Sequence, residues 1–176
     1  MFATMSEPTE IAGGESTVIE SGSELAIPIT VRVLGVGMLG GLLGMVTMIP
    51  VLVGVPAALG LFRPDPIAEF VPLTELFGIE PTLALGLALF AAMGTVLLPM
   101  VFLVVGAYLP PEGPRYLRGV TFATIFWTGF VPAFMPEGPA LVAGTFLVVS
   151  LVAHWVYGAV LAGVLDRTVG IPQHEV

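Results

Sequence analysis

The sequence predicts an all-α integral membrane protein, a bundle of about four transmembrane helices with a short interfacial helix between the first two. Three observations carry this expectation. Hydrophobic residues fill 56% of the 176 positions and charged residues only 10%, whereas a soluble domain carries about 25% charged residues. The apolar residues collect into four runs, each near or above the minimum of about 17 residues needed to cross a bilayer. Almost all charges fall in the leader or in the gaps between those runs.

The chain begins with a leader in which Glu7, Glu10, Glu15, Glu20 and Glu24 stand among Ser, Thr and Gly. It has no positive n-region and no apolar core of its own, unlike a cleaved signal peptide. Residues 1–27 are therefore expected to form a disordered acidic tail on the cytoplasmic side. The four-span membrane domain is assigned to residues 28–168, and residues 169–176 form a short C-terminal tail.

The first apolar run extends from Val33 to Phe62 and would be about 45 Å long if wholly helical, against a hydrocarbon core of about 30 Å. It must tilt, kink or leave the membrane early. Pro50 and Pro56 supply the means, because each removes a backbone donor and crowds the preceding turn. The second run, Pro81 to Leu109, is interrupted by Pro99. The third, Arg118 to Phe134, ends among Pro132 and Pro136, and the fourth, Ala140 to Leu165, is the longest without interruption. Gly44 to Pro56 weakly echoes Gly94 to Pro110, but glycine and proline are common enough in membrane helices that no repeat is drawn from it.

Between the first two runs, Ile67, Phe70, Leu73, Leu76 and Phe77 alternate with acidic residues and prolines across Arg63 to Glu80. That spacing suits an amphipathic helix lying at the interface. The joins at Pro110 to Arg115 and Pro136 to Pro139 are tight, so spans two with three and three with four should be antiparallel neighbours. Four spans place Arg32, Arg115, Arg118 and Arg167 on one side and Arg63 alone on the other. Positive residues accumulate on the cytoplasmic side, which puts both termini there.

Composition excludes several classes of function. With no Lys, five Arg and thirteen Asp plus Glu, the chain lacks the clustered cations that nucleic acid binding requires. The absence of cysteine removes disulfides, thiolate metal sites and cysteine catalysis. The acidic, lysine-free composition resembles that of proteins from extremely halophilic archaea, where molar salt cuts the screening length to about 3 Å and acidic surfaces repel themselves little.

An ionisable residue in hydrocarbon costs about 2.5–3.5 kcal/mol at the centre of a span, so such residues are the first place to look for chemistry. No Asp or Glu lies centrally in any run, which disfavours a carboxylate-based ion carrier, and Arg32, Arg118, Asp166 and Arg167 sit at ends where they can reach water. His154 is the exception. Ser150, Tyr157 and Gly158 lie three or four residues from it and share its helix face. A proton relay, a haem or metal ligand and a contact with a partner are the functional readings. The plainer reading is an uncharged imidazole in a structural hydrogen bond, common in membrane bundles. Haem would need a methionine or another chain as second ligand, because His174 lies in the tail. Ser150 with His154 suggests a nucleophile and base, yet one helix cannot surround a substrate with nucleophile, base and oxyanion donors.

Met38, Met45 and Met48 in the first run, with Met93 and Met100 in the second, carry thioethers of the kind that bind Cu(I). Without Cys or a second membrane histidine they are read as packing material, and no metal or cofactor is assigned. Gly37, Gly41 and Gly44, with Gly40 beside them, form a small-residue stripe suited to close helix packing. The segment from Gly35 to Gly41 superficially matches a dinucleotide fingerprint but lies within a membrane run with no strand before it.

The segment from His154 to Gly163, HWVYGAVLAG, together with the glycine-rich first run, resembles small four-span membrane proteins of haloarchaea that lack an established activity. Some of those are encoded with subunits of haem-copper terminal oxidases, so the resemblance implies an accessory role in a respiratory complex and carries over no catalytic residues. The expected function is a noncatalytic accessory subunit or assembly factor, its partners being membrane lipids and other membrane protein subunits. The alternative is a small oligomeric transporter or channel with a polar path near His154.

Overall fold

A computed structural model describes residues 29–58, 60, 78–80 and 82–171. The acidic leader, residues 63–77 of the expected interfacial helix and residues 172–176 of the C-terminal tail lie outside them. Every regular element among the described residues is helical. Four helices are long and apolar enough to cross a membrane: α1 (Val31–Ala58), α2 (Leu83–Tyr108), α3 (Leu117–Phe134) and α4 (Ala140–Thr168). Their limits lie close to those of the four apolar runs.

The helix ends are set by short-range chemistry. Thr30 and Thr82 are in extended conformations before α1 and α2, and their hydroxyls accept from Val33 N at 3.3 Å and Leu85 N at 3.2 Å. Each satisfies one of the amides that the first turn leaves unbonded. Beyond α4, Gly170 takes φ +83° and its N–H returns to Leu165 O at 2.8 Å, a reversal that favours a residue without Cβ.

Neither α1 nor α2 is a uniform α-helix. The first widens to a π turn over Pro50–Gly54 and the second over Met93–Leu97. In α2 the cause is legible atom by atom. Leu98 N–H reaches back to Met93 O, and Pro99, which would serve the next carbonyl in that register, has no N–H. Gly94 O is thereby left without a backbone donor.

In the bundle α1 packs along both α2 and α4, and α4 packs in addition along α3. The expected pairing of the second and third spans is narrower than that of the third and fourth. It runs through the connecting turn and includes the rings of Phe102 and Phe122, edge to face with centroids 5.2 Å apart. Phe102, Leu103, Phe122, Ala153, Leu161 and Leu165 are at most 1% exposed and form the centre of the core.

Arg118 departs from expectation. Instead of reaching water it is buried at 6% exposure. Its Nε donates to Pro111 O at 3.0 Å, and its terminal nitrogens donate to Ala107 O at 3.2 Å and Glu112 O at 3.4 Å. These carbonyls end α2 and begin its connection to α3, where the backbone needs donors and a cation is favoured.

Candidate functional site around His154

The three polar residues predicted to share a face of α4 serve three different neighbours. Ser150 is buried and turned to α3: its hydroxyl accepts from Trp127 Nε1 at 2.9 Å and donates to Leu147 O at 3.3 Å. Tyr157, 2% exposed, is turned to α2, and its hydroxyl donates to Gly94 O at 2.6 Å. This is the carbonyl that the π turn and Pro99 leave unbonded, so a side chain from α4 supplies the donor missing from the backbone of α2. His154 is half-buried, and its Nδ1 lies 2.7 Å from the backbone carbonyl of Ser150, not from the serine hydroxyl. A carbonyl can only accept, so Nδ1 carries the hydrogen, and in the neutral ring Nε2 holds the lone pair. That arrangement does not make His154 a base for Ser150. On the outer side of α4, Trp155 Nε1 donates to Thr124 Oγ1 at 2.9 Å, a second indole bond between α4 and α3.

Beside His154 is a cavity of about 40 Å³ to which all four helices contribute, room for a few water-sized occupants at about 10–15 Å³ each. Its wall includes Met45 and Met48 from α1, Met93 from α2, Phe126 from α3, and His154 and Tyr157 from α4. Among the described residues no group of three His, Cys, Asp or Glu side chains comes together to hold a metal.

The glycine stripe of α1 serves two partners, both within this chain. Gly40 and Gly44 meet α4, where an added Cβ would lie 3.1 Å from Leu161 O and 2.7 Å from the Tyr157 ring. Gly37 and Gly41 meet α2. A Cβ on Gly37 would lie 3.3 Å from Leu103 Cδ1, and one on Gly41 would overlap Pro99 Cγ and lie 2.6 Å from Gly94 O. A closer crossing, which sequence reasoning missed, joins Gly119 of α3 to Gly158 of α4: a Cβ on either would overlap the other's carbonyl oxygen. Gly158 was visible beside His154, but Gly119 has no other glycine within a turn or two of it in its run, Gly129 being ten positions on, and only the folded pair reveals its purpose. Trp127, Gly94 and Arg118 were missed likewise, since each acts on a group in another part of the chain.

A helical bundle with four candidate membrane spans, held by glycine contacts and single polar bonds between helices, defines a multi-pass membrane protein. The chain belongs to the family of unknown function DUF6789, whose sequence profile matches residues 31–176 and so covers all four helices. Neither a curated protein nor a solved structure matches it.

Proposed function

We propose that the protein is a noncatalytic accessory subunit or assembly factor of a larger membrane complex, inserted with both termini in the cytoplasm. The observation that supports this reading is how the polar side chains inside the spans are used. Trp127 and Ser150, Trp155 and Thr124, and Tyr157 and Gly94 join this chain's own helices, while His154 binds its own helix backbone. Such bonds contribute about 0.6 kcal/mol each in membrane bundles and fix a shape, while the outer faces carry many exposed apolar side chains and the hydroxyls of the exposed Thr47 and Thr128 bond to their own helices. The complex is proposed to be respiratory on the strength of the sequence resemblance alone.

The cavity beside His154 favours a second reading, a small oligomeric transporter or channel. Purification of the full chain in mild detergent separates the two. Stable co-migration with a multisubunit complex supports the accessory role. A homogeneous oligomer that gives flux after reconstitution would replace it with transport.

A further inference from the structure

Met45, Met48, Met93 and His154 come from three helices and meet on the wall of one cavity. Met45 and Met48, three residues apart, share a face of α1 and are 3% and 2% exposed. The Met45 sulfur rests directly against Gly94, where a Cβ would overlap it. His154 commits its Nδ1–H to the Ser150 carbonyl, and among the described residues the ring makes no other hydrogen bond. An imidazole oriented by a backbone carbonyl through one nitrogen, with the lone pair of the other unused, has the form of a metal-binding histidine. Thioethers alone would be packing; beside such a nitrogen they complete a donor set.

We propose that this cavity binds a soft monovalent cation, Cu(I), through the thioethers of Met45, Met48 and Met93 and through Nε2 of His154. The donors select the ion. Thioether and imidazole ligands favour Cu(I), whereas Ca²⁺ and Mg²⁺ require oxygen ligands and among the described residues no carboxylate lines the cavity. A divalent ion without an anionic ligand would in addition carry about four times the Born cost of a monovalent ion of equal size, because that cost grows with the square of the charge. The site is built entirely from this chain, so the inference does not rest on the accessory-subunit reading.

The test is Cu(I) binding by the full chain in detergent, with ascorbate holding the metal reduced and a chromophoric Cu(I) chelator competing. The expected result is one Cu(I) per chain, with both sulfur and nitrogen neighbours in its X-ray absorption spectrum. Met48→Leu and His154→Gln should each weaken binding about tenfold or more, while Met38→Leu, on the exposed side of α1, should leave it unchanged. Leucine nearly conserves methionine's volume, and thermal unfolding of the metal-free variants checks that the fold survives. If Met48→Leu fails that check, the half-buried Met93→Leu reads the same ligand role. No stoichiometric binding, an equal loss in Met38→Leu, or unchanged binding in His154→Gln would each overturn the proposal.

Discussion

The π turns of α1 and α2 each end two residues before a buried proline, Pro50–Gly54 ahead of Pro56 and Met93–Leu97 ahead of Pro99. Both widen the helix where proline withholds a donor, yet their surroundings differ. In α1 the ends of the turn, Pro50 and Gly54, are exposed and a Cβ on Gly54 would meet nothing within 4 Å, Leu52 between them is buried where the turn packs on α4, and no side chain donates to the turn among the described residues. In α2 the Gly94 end of the turn is held between Gly41 and Met45 on one side and Tyr157 on the other, while Val96 and Leu97 are exposed. The same local fault thus has no side-chain donor in one helix and is capped by a tyrosine hydroxyl from a neighbouring helix in the other. What decides is whether neighbouring helices bring a glycine close enough and a hydroxyl long enough to reach the freed carbonyl.

The largest expected effect tests the enclosure. Gly41→Leu would press on Pro99 and on the backbone oxygens of Gly94 and Thr95, costing about 1–3 kcal/mol or more by overpacking. Gly54→Leu, at the exposed end of the α1 turn where a Cβ meets nothing within 4 Å, should cost far less. Yields of monodisperse protein in detergent compare the two, and equal yields would mean that the α2 turn is not a packed junction.

Tyr157→Phe comes next, since it removes the donor to Gly94 O without altering the ring. It should destabilise the protein by about 0.6 kcal/mol and by no more than about 2 kcal/mol, read as a lowered unfolding midpoint. An unchanged midpoint would assign the carbonyl another donor.

A coupling experiment is finer. Pro99→Ala restores an N–H that can serve the Gly94 carbonyl, so Tyr157→Phe should cost about 0.5 kcal/mol less in that background. Pro56→Ala, at the corresponding place in α1, should leave the Tyr157→Phe penalty unchanged. Equal coupling to both prolines would detach the tyrosine from the π turn.

The smallest effect is expected at His154, on the cavity wall next to the enclosed turn. Gln keeps a donor and an acceptor, so His154→Gln should assemble normally, and His154→Leu should weaken assembly modestly. Assembly and activity measured side by side decide its role. Full loss of a pH-dependent activity with intact assembly in the Gln variant would make His154 a proton relay.

The spans could be read from the sequence because hydropathy and length are properties of a contiguous segment: the run placed at Ala140 to Leu165 is the helix Ala140–Thr168. The proline interruptions were visible for the same reason, although the echo between the first two runs was set aside as a coincidence of composition. Their consequences were not, because the fate of Gly94 O is decided by a tyrosine 63 positions later. The stripe Gly37, Gly41 and Gly44 announced close packing, but one helix cannot specify how its face divides between two partners. Met93 and His154 posed the same difficulty, since neither carries any local sign of the other.

Arg118 has a consequence for how the chain enters the membrane. As the shortest and least apolar of the four helices, α3 is the weakest candidate for insertion by itself. Its first turn is nonetheless fastened through the guanidinium to carbonyls at the end of α2 and in the connecting turn, and α2 is the most apolar of the four. Glycosylation mapping of α3 alone, of the α2–α3 pair and of the pair carrying Arg118→Ala should rank the pair first. The two helices then behave as a hairpin in biogenesis, the strongly partitioning arm drawing in the weak one and the guanidinium at the bend acting as the clasp between them.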